Sequence, residues 1–269
     1  MREAVTTQTQ ERRGQTTPAL ALHGLRKSFG AVEALRGVDF ELLRGEVHAL
    51  VGDNGAGKST LLKIASGAIQ PDEGTMRVND EPVVFNSPLE ARRHGIETVY
   101  QDLALGEERS CIANLFAGRE ICRAGWRGHF GVLDRRAMAA EARRTFEELS
   151  ITIRDPHQTI QRLSGGQKQG VAIARAARWA KQVVLLDEPT AALGVRQRTQ
   201  VQELITRLRA KDFGVMLISH DVLETLKIAD RVTILRLGER VATRRVETID
   251  VPWVVSAMVG GEDADEHAT

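Results

Sequence analysis

The residues best suited to chemistry form a glycine-rich segment after an apolar run that ends at Val51. The segment matches the spacing G-x-x-x-x-G-K-[ST], in which backbone N–H groups, the start of a helix and a lysine surround phosphates. We expect Lys58 to contact the phosphates of a nucleotide and the Ser59 hydroxyl to bind Mg²⁺. A glycine turn that happens to precede a helix is the alternative. The expected binding residues are Gly52, Asp53, Asn54, Gly55, Ala56, Gly57, Lys58, Ser59 and Thr60.

Two carboxylates end a second apolar run, residues 183–186. A central parallel strand presents the residues that follow it at its carboxyl edge. We expect Asp187 to hold the metal through water, and Glu188 to orient and deprotonate the attacking water. The alternative is that both acids only solvate the end of the strand.

Two further polar residues follow apolar runs, His220 after residues 215–219 and Gln101 after residues 98–100. In a parallel sheet the imidazole would emerge at the same edge as the two acids, where it could donate to the γ-phosphate or to Glu188. Gln101 is uncharged and could touch both metal and water. Structural roles are the alternative for both residues.

A second candidate anion site lies before the helical run at residues 171–177. Two glycines in front of a helix provide free N–H groups and the positive end of the helix dipole. One nucleotide does not need two such sites, so the simplest explanation is a dimer. In it, the second site of each chain closes on the nucleotide held by the other chain. The residues of this segment are Leu163, Ser164, Gly165, Gly166 and Gln167.

The elements that must position these groups are short strands around a helical middle. Apolar runs predict strands at residues 38–43, 47–51, 83–85, 98–100, 183–186, 215–219 and 232–237. Between them, Asp134 is a candidate helix N-cap, followed by an apolar face of Met138, Ala142, Phe146 and Leu149. We expect one folded domain at residues 19–258, with a disordered lead at 1–18 and a flexible tail at 259–269.

Composition narrows the class of protein. The 269 residues carry 37 Lys and Arg against 36 Asp and Glu, a net charge of +1, which gives no argument for a nucleic-acid partner. No apolar run approaches the ~18 residues of a membrane-spanning helix, and the lead lacks the apolar core of an export signal. Cys111 and Cys122 form no C-x-x-C pair, so neither a disulfide framework nor a cysteine metal site is expected.

As a set, these motifs resemble those of the ATP-binding subunits of ABC transporters, and the resemblance covers about residues 19–258. The glycine-rich segment is similar to the family's Walker A motif, Gln101 to its Q-loop, residues 163–167 to its signature, residues 183–188 to its Walker B motif and His220 to its switch histidine. Phe29 lies where the family carries an aromatic ring that stacks on adenine, although a role in the core of an edge strand is the alternative.

The resemblance implies an α/β fold of the P-loop NTPase class. Its core is a mixed, mostly parallel sheet, with an antiparallel β subdomain and a helical subdomain at about residues 103–160. It also implies ATP and Mg²⁺ as ligands, with Gln101 joining Ser59 and Asp187 at the metal. Catalytic roles fall to Lys58, Gln101, Glu188 and His220.

Three segments look like those of bacterial importers of monosaccharides of the ribose, xylose and fructose type, namely residues 51–57, 99–105 and 188–194. Within them, Asp53 and Asp102 favour this branch. Most ATPases of that branch carry two such modules in tandem, whereas this sequence holds one, so we expect a homodimer. The branch also implies a position at the cytoplasmic face of the inner membrane, with permease subunits and, indirectly, a periplasmic solute-binding protein. A soluble ABC-type ATPase of DNA repair or translation, an importer of another solute and an ATP-binding regulator without turnover remain alternatives.

Two positions depart from the family pattern. Gly194 stands where many members carry the aspartate that ends the D-loop, so it cannot provide a carboxylate across a dimer. Gly170 stands after the signature, where the family often has a basic residue. Because of Gly194, we expect coupling between two ATP sites to be looser or to use the backbone, whereas Gly170 should leave the ATP contact intact and change only the start of the helix.

Overall fold

Ten strands form two sheets in the part of the chain that the computed structural model describes, residues 17–125 and 130–260. The first sheet is antiparallel and has the order β2-β1-β4-β5. Its strands are β1 (Leu20–Phe29), β2 (Val32–Leu42), β4 (Glu73–Val78) and β5 (Glu81–Val83). The expected lead and tail, residues 1–18 and 259–269, fall largely outside the described residues.

The second sheet has six strands in the order β10-β9-β3-β8-β7-β6, and its pairs are parallel except that of β9 with β10. The register sets Val99 beside Leu186 and Asp187 beside Ile218. The carboxyl ends of four neighbouring strands therefore meet at one edge. The strands are β3 (Val47–Gly52), β6 (Ile96–Val99), β7 (Val183–Asp187), β8 (Gly214–Ile218), β9 (Arg231–Arg236) and β10 (Glu239–Arg245).

Eight α-helices connect or cover the strands in the described part of the chain. Asp134 is the N-cap of α4 (Arg135–Glu148), since its side chain accepts a hydrogen bond from the Ala137 N–H at 3.0 Å. None of the described helices is both long and apolar enough to cross a membrane. The helices are α1 (Lys58–Ala65), α2 (Pro88–Arg93), α3 (Cys111–Leu115), α4 (Arg135–Glu148), α5 (Gly165–Trp179), α6 (Val195–Ala210), α7 (Val222–Leu226) and α8 (Val251–Val259).

Alternate residues of the parallel strands face two separate cores. On β7, Val184 and Leu186 point toward a core built with α3 to α6 and α8, while Val183 and Leu185 point toward a core built with α1 and the antiparallel sheet. All four side chains are fully buried, as expected for a strand that is covered on both faces. A slip of one residue would exchange the two faces, so this burial fixes the register.

The expected α/β architecture with a mostly parallel sheet and an antiparallel β unit is confirmed, but three strands were missed. These are β1, β4 and β10, in which exposed polar side chains alternate with buried apolar ones or outnumber them. The strand predicted at residues 83–85 lies earlier, at β5 (Glu81–Val83), and Phe85 is instead buried against α1. The helical subdomain at residues 103–160 stays a prediction; α3 and α4 lie within it.

His48 is a fully buried titratable group on β3. Its ring stacks on Phe40 at 4.4 Å between centroids, and its two nitrogens lie 2.6 Å from the Glu41 carbonyl oxygen and 2.8 Å from the Thr233 hydroxyl. Burial, helped by the charge of Arg231, lowers the pKa of His48 to about 3, although the hydrogen bond to Glu41 opposes this. The imidazole is therefore neutral in the folded chain at physiological pH.

We predict that His48 makes the fold acid-sensitive. An unfolded histidine gains its proton near pH 6.5 and the folded one only near pH 3, so the stability contributed by neutral His48 is lost as pH falls through this window. Between pH 7 and pH 5 the free energy of unfolding should fall by about 2 kcal/mol from this group. His48→Gln should remove that part of the pH slope in denaturant titrations, whereas His157→Gln, at an exposed position, should not. An equal slope in both variants would contradict the assignment.

Candidate functional site

The glycine-rich segment is a tight turn between β3 and α1 that the backbone of neighbouring strands encloses. A Cβ at Gly52 would lie 2.3 Å from the Leu235 carbonyl oxygen, and one at Gly57, whose φ is +102°, would lie 2.6 Å from that of Ala34. Both positions thus exclude any larger residue. Within the turn, the Asp53 carboxylate accepts a hydrogen bond from the Asn54 N–H at 2.7 Å.

Lys58 begins α1 and folds back over the turn. Its side-chain ammonium donates to the carbonyl oxygens of Gly52 at 2.8 Å and Asp53 at 2.9 Å, and the residue is only 7% exposed. Burial lowers the pKa of Lys58, while the charges of Glu188, Asp53 and Asp187 act to raise it. The ammonium is thus held in position by the loop itself.

Asp187 ends β7 and Ser59 follows Lys58, and both offer hard oxygen ligands. Burial, and then the charge of Glu188, raise the pKa of the Asp187 carboxyl, whereas Lys63 and Lys58 lower it. A half-buried carboxyl group whose pKa is raised in this way is stabilised in its charged form by an added cation. The Ser59 side chain is exposed, so its hydroxyl is accessible. Hydroxyl, carboxylate and the Gln101 amide oxygen fit the preference of Mg²⁺ for oxygen ligands.

Glu188 and His220 meet across neighbouring strands. The backbone N–H of Glu188 donates to the Ile218 carbonyl oxygen at 3.0 Å, and its carboxylate lies 3.2 Å from His220 Nδ1. Glu188 has a left-handed backbone with φ of +48°, which is unusual for a residue with a side chain. Since Nδ1 faces the carboxylate, Nε2 is the ring nitrogen left to face a ligand.

Gln101 lies two residues beyond β6 with its side chain exposed. The chain on either side of it is anchored. Before it, the Tyr100 hydroxyl donates to Ser66 at 3.0 Å, at the end of α1. After it, the Arg175 guanidinium on α5 donates to the carbonyl oxygens of Leu103 at 2.8 Å and Ala104 at 2.9 Å.

The signature-like segment forms the start of α5, so the two glycines lie inside the helix rather than in front of it as predicted. Ser164 is the N-cap and forms a capping box with Gln167, whose side chain also donates to the Thr152 carbonyl oxygen at 3.1 Å. Leu193 and Gln197 pack next to Gly165 and Gly166. Among the described residues, no hydrogen bond or ion pair joins this segment to the glycine-rich turn of the same chain.

Phe29 and Gly194 occupy exposed positions at the rim. Phe29 ends β1 and is 51% exposed, with the Lys27 ammonium 5.7 Å from its ring, so it is not part of a core. Gly194 precedes α6, and a Cβ there would meet nothing within 4 Å. Its N–H donates to the Gln197 side chain at 3.3 Å.

Sequence reasoning missed Arg198 and Asp221, which lie beside the candidate catalytic groups. Arg198 donates to the Leu193 carbonyl oxygen at 2.9 Å and pairs with Asp221, the residue after His220, at 3.4 Å. The signal available was that Arg198 lies one helical turn beyond Gly194. A long-range pairing of this kind cannot be inferred from spacing alone.

Comparison with known proteins places the chain in one family. The model of the ABC transporter family matches residues 35–191, more than half of the chain. The chain is 46% identical over 253 residues to the fructose import ATP-binding protein of Rhizobium meliloti, covering 93% of this chain and 97% of that protein. It is 41% identical over 239 residues to the xylose/arabinose import ATP-binding protein of Sulfolobus acidocaldarius, covering 89% and 93%.

A third relative is longer. The chain is 44% identical over 247 residues to a ribose import ATP-binding protein of Rubrobacter xylanophilus, which covers 92% of this chain but 47% of that protein. The chain thus spans about half the length of this relative.

Solved structures share the fold. The ADP conformation of an ATP-binding cassette of an ABC transporter matches with a TM-score of 0.76 at 25% identity, covering 91% of this chain and 100% of that one. A nucleotide-free cassette matches with a TM-score of 0.75 at 23% identity, covering 92% and 97%. The P-loop ATPase fold expected from the sequence is therefore confirmed, and the chain belongs to the ABC transporter family.

Proposed function

We propose that this chain is the ATP-hydrolysing subunit of an importer, which powers the uptake of a monosaccharide through a separate membrane permease. The observation that carries the proposal is the Glu188–His220 contact of 3.2 Å beside the half-buried Asp187, at the sheet edge where the Lys58 turn also begins. A protein that only binds nucleotide does not need a carboxylate and an imidazole aligned in this way. The family supports hydrolysis of ATP as the reaction.

The choice of a sugar is supported by the relatives. Those that match along nearly their whole length are named for the import of fructose and of xylose or arabinose. The ribose relative is about twice as long, so two copies of this chain would supply the same length of protein. We infer a homodimer at the cytoplasmic face of the membrane, attached to permease subunits and served indirectly by a periplasmic solute-binding protein. The relatives do not favour a nucleic-acid partner or a soluble function in DNA repair or translation.

The chain binds ATP through groups that are already in place. The Lys58 ammonium and the N–H groups of residues 52–60 hold the phosphates, and the exposed ring of Phe29 stacks on adenine. Because Lys58 is already oriented by the loop carbonyls, little side-chain order is lost when it exchanges part of these bonds for phosphate.

Mg²⁺ would be held by Ser59, Gln101 and, through water, Asp187, and it would neutralise charge on the phosphates. Glu188 accepts a proton from the attacking water, while His220 holds Glu188 through Nδ1 and turns Nε2 toward the γ-phosphate. Gln101 helps to orient the water. These roles require no movement of β7 and β8 against each other.

The signature-like segment, residues 163–167, acts between two chains. In a closed dimer, Ser164, Gly165, Gly166 and Gln167 of one chain contact the nucleotide held by the turn of the other, which makes closure depend on ATP. Closure moves the helical region at about residues 103–160 against the permease, and hydrolysis reopens the pair.

We predict that Glu188→Gln binds ATP as well as wild type but hydrolyses it at least about a hundredfold more slowly, because the general base is gone. Closed dimers should then persist with ATP in size-exclusion chromatography. Glu108→Gln, at an exposed position, is the matched control. Unchanged phosphate release by Glu188→Gln would refute the role of this carboxylate.

We predict different ATPase rates when Ser164 is changed to Asp and to Asn, two side chains of nearly the same size and shape. Both Asn and Asp can cap a helix, so α5 should survive either change. Asp adds a negative charge where a partner's phosphates should lie, and repulsion of ~4 kcal/mol at close range lowers turnover by more than a hundredfold. Ser164→Asn should retain far more activity. ATP affinity of the isolated chain should be alike in both, since Lys58 is untouched; equal ATPase rates would argue against phosphate contact by this segment.

Uptake tests the transport role. In cells deleted for this gene, import of one labelled monosaccharide should be lost and restored by the wild-type gene but not by its Glu188→Gln form. If cells that lack the gene take up every pentose and hexose of a full panel at the wild-type rate, the proposed substrate class is contradicted.

A further inference from the structure

Arg198 connects two segments that flank the candidate catalytic groups. It lies in the first turn of α6, and its guanidinium donates from Nε to the Leu193 carbonyl oxygen at 2.9 Å. The terminal nitrogen Nη1 of the same guanidinium lies 3.4 Å from a carboxylate oxygen of Asp221. The planar guanidinium can hold two acceptors at fixed relative positions, which the single ammonium of a lysine cannot.

Asp221 uses its polar groups to hold the chain immediately after His220. One carboxylate oxygen caps α7 by accepting from the Glu224 N–H at 3.1 Å, which leaves the other for Arg198. Its own N–H donates to the buried Ser219 hydroxyl at 3.1 Å, and its carbonyl oxygen accepts from the Thr225 hydroxyl at 2.6 Å. The backbone on the carboxyl side of His220 is therefore fixed by Asp221.

Within the described part of the chain, the Glu188 carboxylate is the group that orients the His220 imidazole. The His220 side chain is 63% exposed, and its contact with Glu188 at 3.2 Å is what orients the ring. Its direction thus depends on where Asp221 places the backbone. Gln202, one turn after Arg198 on the same face of α6, donates to the Glu224 side chain at 2.8 Å, so α6 holds the α7 segment at two points.

The contacts form a closed circuit around the site. Glu188 meets His220, the next residue Asp221 meets Arg198, and Arg198 returns through the Leu193 carbonyl to the turn that begins at Glu188. That turn is closed by the Ala191 N–H, which donates to the Glu188 carbonyl oxygen at 3.1 Å. The chain continues from this turn to Gly194, which has no side chain to contact a partner.

We propose that Arg198 is a positioning residue for hydrolysis, which fixes His220 against Glu188 and transmits displacement of residues 191–194 to the histidine. The inference rests on the proposed ATPase function. Position 194 is a glycine and has no carboxylate to couple the two ATP sites, and we assign this coupling to the Arg198 guanidinium. Arg198 touches neither nucleotide nor water in this scheme.

The test compares Arg198→Gln with Arg196→Gln, two arginine changes within the first turn of α6, of which Arg196 is exposed. Arg198→Gln should lower kcat about ten- to a hundredfold, because a charge-assisted hydrogen bond is lost, and leave the Kd for ATP within about twofold. Arg196→Gln should leave both unchanged. Arg198→Lys should recover activity only in part.

A second measurement separates positioning from a merely structural role. In a His220→Ala background, Arg198→Gln should cause no further loss of kcat, because its effect passes through the imidazole. An equal loss in both backgrounds, or identical kcat for the Arg198 and Arg196 variants, would overturn the inference. Normal hydrolysis by Glu188→Gln would instead overturn the proposed function, so the two failures are distinguishable.

Discussion

The parallel register of β3, β6, β7 and β8 is the constraint on which the rest of the site depends. Backbone pairing sets Asp187 beside Ile218 and Val99 beside Leu186, so the four strands end at a common edge. Each chemical group then needs only to follow its strand. Gln101, Glu188 and His220, which are far apart in sequence, are brought to one edge in this way, and the glycine-rich turn after β3 brings Lys58 to the same edge.

Burial on both faces holds this register. Side chains of β7 alternate between two apolar cores, and a slip by one residue would move each of them into the wrong core. The edge also holds local strain in the left-handed backbone of Glu188, and the close approach of Gly52 to Leu235 leaves room only for glycine. These features belong to a site that is arranged before ligand arrives, in which Lys58 is already held by loop carbonyls.

Much of this arrangement could be predicted from the sequence because buried parallel strands appear as continuous apolar runs. The polar residues that directly follow each run then mark the carboxyl edge of the sheet. Residues 183–188 show both signals. The strands β1, β4 and β10 could not be found in this way, since solvent covers one side and the apolar run is broken. The Arg198–Asp221 pair was also beyond prediction, because side-chain contacts between α6 and the α7 segment, rather than any motif, bring the two together.

The central claim is that a nucleotide lies between the Lys58 turn of one chain and the Ser164 segment of another. Chemical cross-linking tests it most directly. In a background with the exposed Cys122 replaced by serine, one tagged chain carries Asn54→Cys and a differently tagged chain carries Ser164→Cys. The account predicts that a short bismaleimide joins the two tags with Mg²⁺ and ATP but not without nucleotide, and that Glu81→Cys on β5 gives no product with Ser164→Cys. Absence of an ATP-dependent product between the tags, while both variants bind ATP, would contradict it.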